Sequence, residues 1–141
     1  MTLEIIDVPR KQAYPARKTE FTLPFWEALG KGRFTSVGCN ACGKVAFPPK
    51  PVCPHCWSAD LRWSNVTPSG VLYSWTRVHA APSAFKDEAP YAVAIVDLEQ
   101  GIRIACRLIE REGISLVPGI PVELVVLRYE DGPMFAARPT H

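Results

Sequence analysis

Cys39-Asn40-Ala41-Cys42-Gly43, followed after a short proline-rich run by Cys53-Pro54-His55-Cys56, is the stretch whose reading decides the fold. Two C-x-x-C pairs with ten residues between the inner cysteines have the spacing of a single tetrahedral metal site with four thiolate ligands. A tight turn at each pair lets both sulfurs face one point about 2.3 Å from a Zn²⁺. Gly43 falls just after the first pair, where such a turn often needs a residue free to take φ > 0. Pro54 stiffens the second turn by fixing its own φ. The intervening Lys44-Val45-Ala46-Phe47-Pro48-Pro49-Lys50-Pro51 is too rich in proline for a helix. A zinc ribbon of short strands is therefore expected, rather than a finger whose helix enters DNA.

Other uses of four cysteines can be weighed. Two disulfides need an oxidising compartment, and Met1-Thr2-Leu3-Glu4 runs into Ile5-Ile6-Asp7 without the apolar core of a secretory leader. A redox C-x-x-C is expected beside a βαβ pattern, which is not visible. An iron site uses the same ligand set, so the sequence leaves zinc and iron open. A metal with all four positions filled by Cys39, Cys42, Cys53 and Cys56 keeps none for water, so its role is structural rather than hydrolytic. His55, between two ligands, is expected to point away from the metal. Cys106 stands alone in the apolar pattern Ile102-Arg103-Ile104-Ala105-Cys106-Arg107-Leu108 and reads as a small buried hydrophobe.

The chain has 141 residues, enough for one core and a small metal module. A net charge of +2 removes the simple electrostatic case for nucleic acid. The charge is uneven: residues 1–50 carry eight Lys/Arg and four Asp/Glu, and residues 51–141 carry eight and ten. No apolar run is long enough to span a membrane. Reduced cysteines without a leader point to the cytoplasm. Fourteen prolines and nine glycines suit a loop-rich, mainly β protein.

Three segments are expected, at 1–33, 34–67 and 68–141. Residues 1–20 read as an irregular arm. Phe21 to Gly30 holds the one clear helix, with Thr22 as N-cap, Pro24 in the first turn, and Gly30 and Gly32 as its stop. Phe25, Trp26 and Leu29 form an apolar stripe on so short a helix that it must dock on something, either this chain's own core or another subunit. Residues 33–37, 45–47 and 61–63 read as the ribbon strands. After Pro68-Ser69-Gly70 the period changes to two, and Val71 to Val78 reads as a long strand with Tyr73 and Trp75 on one face. His79 to Pro90 is a loop long enough to be functional. Tyr91 to Asp97 and Gly101 to Ile109 form a hairpin, and Val122 to Tyr129 and Met134 to Arg138 two further strands. Five such strands suggest a small Greek-key barrel of OB type.

The ribbon with Phe47-Pro48-Pro49, the preceding Phe25-Trp26-Glu27-Ala28-Leu29, and the later Ser69-Gly70-Val71-Leu72-Tyr73-Ser74, Pro90 to Leu98 and Pro118-Gly119-Ile120-Pro121-Val122 together resemble the DUF35 family. The resemblance implies a short N-terminal helix, a rubredoxin-like zinc ribbon and a C-terminal five-stranded OB-fold. It also implies an accessory role beside acyl-CoA enzymes, namely thiolase-like acyltransferases, thiolase-fold aldolases or MaoC-like hydratases, whose partner chains carry the catalytic residues.

The leading expectation is accordingly a non-catalytic subunit of a thiolase-type complex. Phe25, Trp26 and Leu29 would bind the partner, and the barrel with its 79–90 loop would border a channel for a coenzyme A thioester. The alternative is a zinc-ribbon/OB module for single-stranded nucleic acid, with Tyr73 and Trp75 as stacking residues. A third is a self-standing enzyme using Cys106 or His79. Of the histidines, His55, His79 and His141, only His79 lies where a shared pocket is expected.

Overall fold

A computed structural model describes residues 2–140; Met1 and His141 lie outside the described residues, so the expectations that extend to them stop there. The elements run β1 (Ile5–Asp7), α1 (Leu23–Gly30), β2 (Thr35–Cys39), β3 (Val45–Ala46), β4 (Leu61–Asn65), β5 (Ser69–Val78), β6 (Tyr91–Leu98), β7 (Arg103–Leu108), β8 (Pro121–Tyr129) and β9 (Gly132–Pro139). The fold is mainly β, with one short α-helix. Strands β3-β2-β4 form the ribbon sheet, and β5 to β9 form a barrel.

The barrel follows from strict alternation. In β6, Ala92, Ala94, Val96 and Leu98 are buried; in β7, Ile104, Cys106 and Leu108 are. These antiparallel neighbours turn one face inward along their whole register, from Ala92 opposite Leu108 to Asp97 opposite Arg103. Strand β9 runs antiparallel to β8 from Val122 opposite Pro139 to Tyr129 opposite Gly132, and parallel to β7 at Arg107 and Leu108. The parallel contact closes the five-stranded OB barrel and leaves no open edge between β7 and β9. Strand β8 runs apolar rather than alternating because both its faces are covered. Val122, Leu124 and Val126 belong to the main core, while Val125 and Leu127 pack with Ala136 against Ile6 and Val8 of the arm.

Several expectations are corrected. The arm is not wholly irregular, since Ile5, Ile6 and Asp7 pair in parallel with Val126, Leu127 and Arg128. The register of β8 with β5 ends at Glu123, which leaves its later residues unpaired on that edge for β1. The 79–90 loop contains a 3-10 helix at Ser83–Glu88. Thr22 occupies the N-cap of α1, but its Oγ1 accepts the Thr19 N–H at 2.9 Å instead of capping a helix amide. Tyr73 and Trp75 do not share a face. The pairing of β5 with β6 shifts between Leu72 and Ser74, so that Leu72 faces Val96 and Trp75 faces Ala94. One extra residue brings the inward phase back one position late, at Trp75 instead of Ser74. Tyr73 is left 51% exposed, while Trp75 packs on the core and donates its indole N–H to the Leu116 carbonyl at 2.8 Å.

The stripe on α1 is corrected in part. Phe25 is 3% exposed and Leu29 fully buried, both in the same core as Phe34 of the ribbon edge and Val122 of the barrel. A helix of eight residues is not stable alone, and this one is held by its own chain. Both side chains are packed into this chain's own core, with Phe25 also at the floor of the groove beside Trp26. Trp26, half-buried, keeps one side at the surface.

At Gly70 the β6 backbone lies against β5 with no room for a side chain. A Cβ there would lie 2.1 Å from the Asp97 carbonyl oxygen and 2.9 Å from its carbon, both backbone atoms that cannot rotate away. Gly70→Ala is expected to cost about 1–3 kcal/mol by forcing these strands apart. Thermal unfolding tests this: an unchanged midpoint in Gly70→Ala would show that this contact is looser than described.

Candidate metal centre and its surroundings

The two C-x-x-C turns are built alike. Cys39 N–H donates to the Lys44 carbonyl and Gly43 N–H to that of Cys39; Cys53 N–H donates to Ser58 and Trp57 N–H to Cys53, each at 2.9 Å. Each turn aims backbone N–H groups at its own first sulfur, Cys42 N–H at Cys39 Sγ and His55 N–H at Cys53 Sγ, both at 3.4 Å. Gly43 takes φ 77°, as expected from its place after the pair. The sequence reading overlooked Trp57, which takes φ 67° at the equivalent position of the second turn. The signal was present, because Gly follows the first C-x-x-C and Trp follows the second.

The four Sγ atoms lie within 4.8 Å of one another, and among the described residues this is the one group of His, Cys, Asp or Glu able to hold a metal ion. Cys39 and Cys56 sulfurs are 3.6 Å apart, those of Cys42 and Cys53 3.7 Å. Bonded disulfides would be about 2.05 Å, and all five cysteines are free. A tetrahedron with Zn–S bonds of 2.3 Å has edges of about 3.8 Å, so the cage fits a tetrathiolate ion.

Its electrostatics agree. The Cys42 N–H brings the Cys39 thiol down to about 7. Burial opposes ionisation of Cys53, yet the N–H groups of His55 and Cys56 leave that thiol below its ordinary value. Cys56 is pushed up to about 12: the Ser58 N–H favours its thiolate, but contacts with Cys39, Cys53 and Cys42, together with burial, outweigh it. Four sulfurs at this spacing cannot all be anions unless a cation lies between them, and a divalent ion removes the conflict. His55 is exposed and lies outside the metal-ligand group.

The other sequence candidates are not brought together into a reactive site. Burial pushes the Cys106 thiol up to about 12, against a smaller opposing pull from the Ala137 backbone, so it is not poised as a nucleophile. His79 is exposed at the end of β5. Tyr73 has its ring covered by the Arg103 guanidinium, 3.7 Å from the ring centre. That guanidinium also grips Asp97 at 2.6 and 3.0 Å and holds its carboxyl below the usual carboxylate range. Trp75 turns inward and Arg103 takes one face of the Tyr73 ring, so the two rings expected to stack a single strand together do not stand side by side on this face.

Two concavities flank Met134 and Phe135. One, of about 200 Å³, lies between the arm, the 3-10 helix and strands β7 to β9; Phe85, Cys106 and Glu88 line it. Glu88 there bridges Arg107 at 2.9 Å and Arg10 at 3.3 Å. The other, of about 320 Å³, is almost wholly apolar and runs between Trp26, Pro48, Pro49 and Phe135. No helix among the described residues is long and apolar enough to cross a membrane.

A tetrathiolate ribbon sharing its core with a five-stranded OB barrel defines the class of this molecule. Comparison with known proteins narrows it. The family description "ChsH2, rubredoxin-like zinc ribbon domain" matches residues 26–62, and "ChsH2, C-terminal OB-fold domain" matches residues 63–127. The chain is 35% identical over 106 residues to a DUF35 domain-containing scaffold protein of Methanocaldococcus jannaschii, covering 72% of this chain and 75% of that one. It is 30% identical over 100 residues to the benzoylsuccinyl-CoA thiolase subunit BbsA of Thauera aromatica, covering 67% and 68%. A solved structure described as an Ltp2-ChsH2(DUF35) aldolase superposes with a TM-score of 0.77 at 30% identity, over 90% of this chain and 100% of the matched one. The chain belongs to the DUF35 family.

Cys39→Ser is expected to lose the metal and unfold the outer ribbon between Cys39 and Asp60 while the barrel persists, because ligand binding at such a site is folding energy. Zinc analysis with circular dichroism checks this; a full equivalent of zinc retained in a folded ribbon would contradict it. The Cys106 thiol gives a pH test. Its folded value of about 12 lies above the ordinary value near 8.5. Above that ordinary value the unfolded chain sheds a proton that the native chain keeps, so stability falls as pH rises toward 12. Between pH 8 and 10.5 the urea midpoint of Cys106→Ala should therefore fall less than that of the native protein. Equal slopes would mean that the thiol ionises freely in the fold.

Proposed function

We propose that this chain is a non-catalytic accessory subunit of a cytoplasmic complex that processes acyl-CoA thioesters, with a thiolase-like acyltransferase as its partner. The observation that carries the reading is the whole-length likeness to a DUF35 chain described as part of an aldolase, at TM-score 0.77 over all of the matched chain. The thiolase-subunit relative, matched over about two thirds of each chain, supports the choice of partner.

The chemistry of this chain fits the role. A metal closed by four thiolates has no position for substrate, and the remaining thiol is buried and resists ionisation. The reacting groups would then come from the partner chain. The cavity beside Phe85, Glu88 and Arg107 is a place where the barrel could border the thioester's path, with an apolar wall and a charged mouth. Trp26 stands at the apolar groove between α1 and Pro48-Pro49. Of the three stripe residues it alone keeps exposed surface for an interface, and tryptophan is a frequent anchor there.

Purification of the tagged protein from its native cells tests the proposal, with the co-purifying chain identified by mass. A thiolase-type subunit in fixed ratio is the expected result, with acyl-CoA turnover by the assembly and none by this chain alone. Turnover by the isolated chain would sink the non-catalytic reading. Trp26→Ala is expected to weaken the assembly about tenfold while shifting the barrel's melting by only a few degrees. A lower melting point with unchanged assembly would place the indole wholly in the core.

A further inference from the structure

The second metal turn carries a side chain that its backbone disfavours. Gly43 and Trp57 make the same hydrogen bond to the first cysteine of their turns, at 2.9 Å, and take φ 77° and 67°. Glycine adopts that left-handed conformation freely, whereas a bulky L-residue brings its Cβ against the neighbouring carbonyl. Trp57 is the one non-glycine residue with positive φ among the described residues. Nothing in the chain compensates it through burial, because the indole is 80% exposed. A strained backbone that presents an unburied tryptophan is a feature that folding alone does not explain.

Its surroundings narrow what meets it. Val52, on the loop leading into the turn, is 38% exposed, and Pro51 and Pro54 are exposed on either side of Cys53. From Cys39 to Asp60 the chain contains Lys44, Lys50 and one carboxylate, Asp60, whose Oδ1 accepts from the Asn40 side-chain amide at 2.9 Å. Neither lysine has a carboxylate within 4.0 Å among the described residues. The ribbon tip is thus an apolar point with free cations in the same segment, held on a metal-fixed turn that loses little freedom on binding.

We propose that Trp57 is the anchor by which the ribbon docks on the catalytic subunit. Its indole enters an apolar pocket of that subunit whose acidic rim faces Lys44 and Lys50. This rests on the accessory-subunit reading above and adds to it the residue and the chemistry of the contact. A protein occupant is favoured over nucleic acid because two lysines make a weak phosphate track, and because the barrel adds no stacking surface where Trp75 turns inward.

The test uses the full chain and the catalytic subunit identified by mass in the native complex. Trp57→Gly is expected to keep one equivalent of zinc and to melt at or above the native temperature, because the backbone strain is gone. Its affinity for the catalytic subunit should fall about thirtyfold or more. Lys44→Glu with Lys50→Glu should slow association, by a factor that shrinks as salt is raised. Unchanged affinity in Trp57→Gly would overturn the proposal. So would zinc loss or a lower melting temperature in that variant, which would make Trp57 a folding residue. Displacement of the catalytic subunit by a single-stranded oligonucleotide, lost in Trp57→Gly, would assign the tip to nucleic acid instead. If the native chain retains no CoA-enzyme subunit, the accessory-subunit reading fails and this proposal with it. That result is distinguishable from a subunit that binds native chain and variant alike, which removes the anchor alone.

Discussion

Four phenylalanines from distant parts of the chain hold this molecule together. Phe25 of α1, Phe34 before the first ribbon strand, Phe47 after the second, and Phe135 of β9 pack with ring centres 5.3 to 6.2 Å apart. Most of the pairs meet edge to face, the arrangement in which a ring's positive edge meets its neighbour's negative face, and each is worth about 0.5–1.5 kcal/mol beyond its buried area. The cluster makes the ribbon and barrel one core rather than two bodies on a tether. Everything at the ribbon tip is therefore positioned by the barrel.

The metal does for the outer ribbon what the phenylalanines do for its base. Between Cys39 and Asp60 the buried residues are Cys39, Ala46 and Cys53, far too little apolar surface to order some twenty residues. The thiolate cage supplies the missing core, and the N–H groups aimed at Cys39 and Cys53 spread its negative charge into the backbone. A segment organised in this way has almost all its side chains outside. Its sequence is free to serve contacts, which is where Lys44, Lys50, Val52 and Trp57 stand.

Local patterns were legible in the sequence wherever a short range decides the structure. The C-x-x-C spacing, the glycine after the first pair and the period-two runs of β6 and β7 each translate directly into geometry. Long-range consequences were not. That Phe25 and Leu29 face inward depends on Phe34, Val122 and Phe135 reaching the same place, which no window along the chain reveals. The strand at Ile5–Asp7 exists because β8 leaves part of an edge open, a property of the partner strand rather than of residues 5–7. The bulge at Tyr73 is another case: Tyr73 and Trp75, two apart, read as one strand face, and the single extra residue between Leu72 and Ser74 breaks that phase.

That bulge also separates the two binding readings. An OB barrel meets nucleic acid through exposed rings beside cations, and a regular β5 would have placed Tyr73 and Trp75 together on the outside. The extra residue turns Trp75 into the core, where Leu116 takes its N–H, and leaves Tyr73 beneath Arg103, itself tied to Asp97. Trp75 is satisfied within the chain, whereas Tyr73 stays half exposed with one ring face occupied by Arg103. Trp57, by contrast, is satisfied by nothing within it and occupies a backbone position where glycine would cost less. With Trp75 drawn into the barrel, the most exposed tryptophan among the described residues stands at the ribbon tip, on a segment fixed by the thiolate cage and joined through Phe34 and Phe47 to the phenylalanine core.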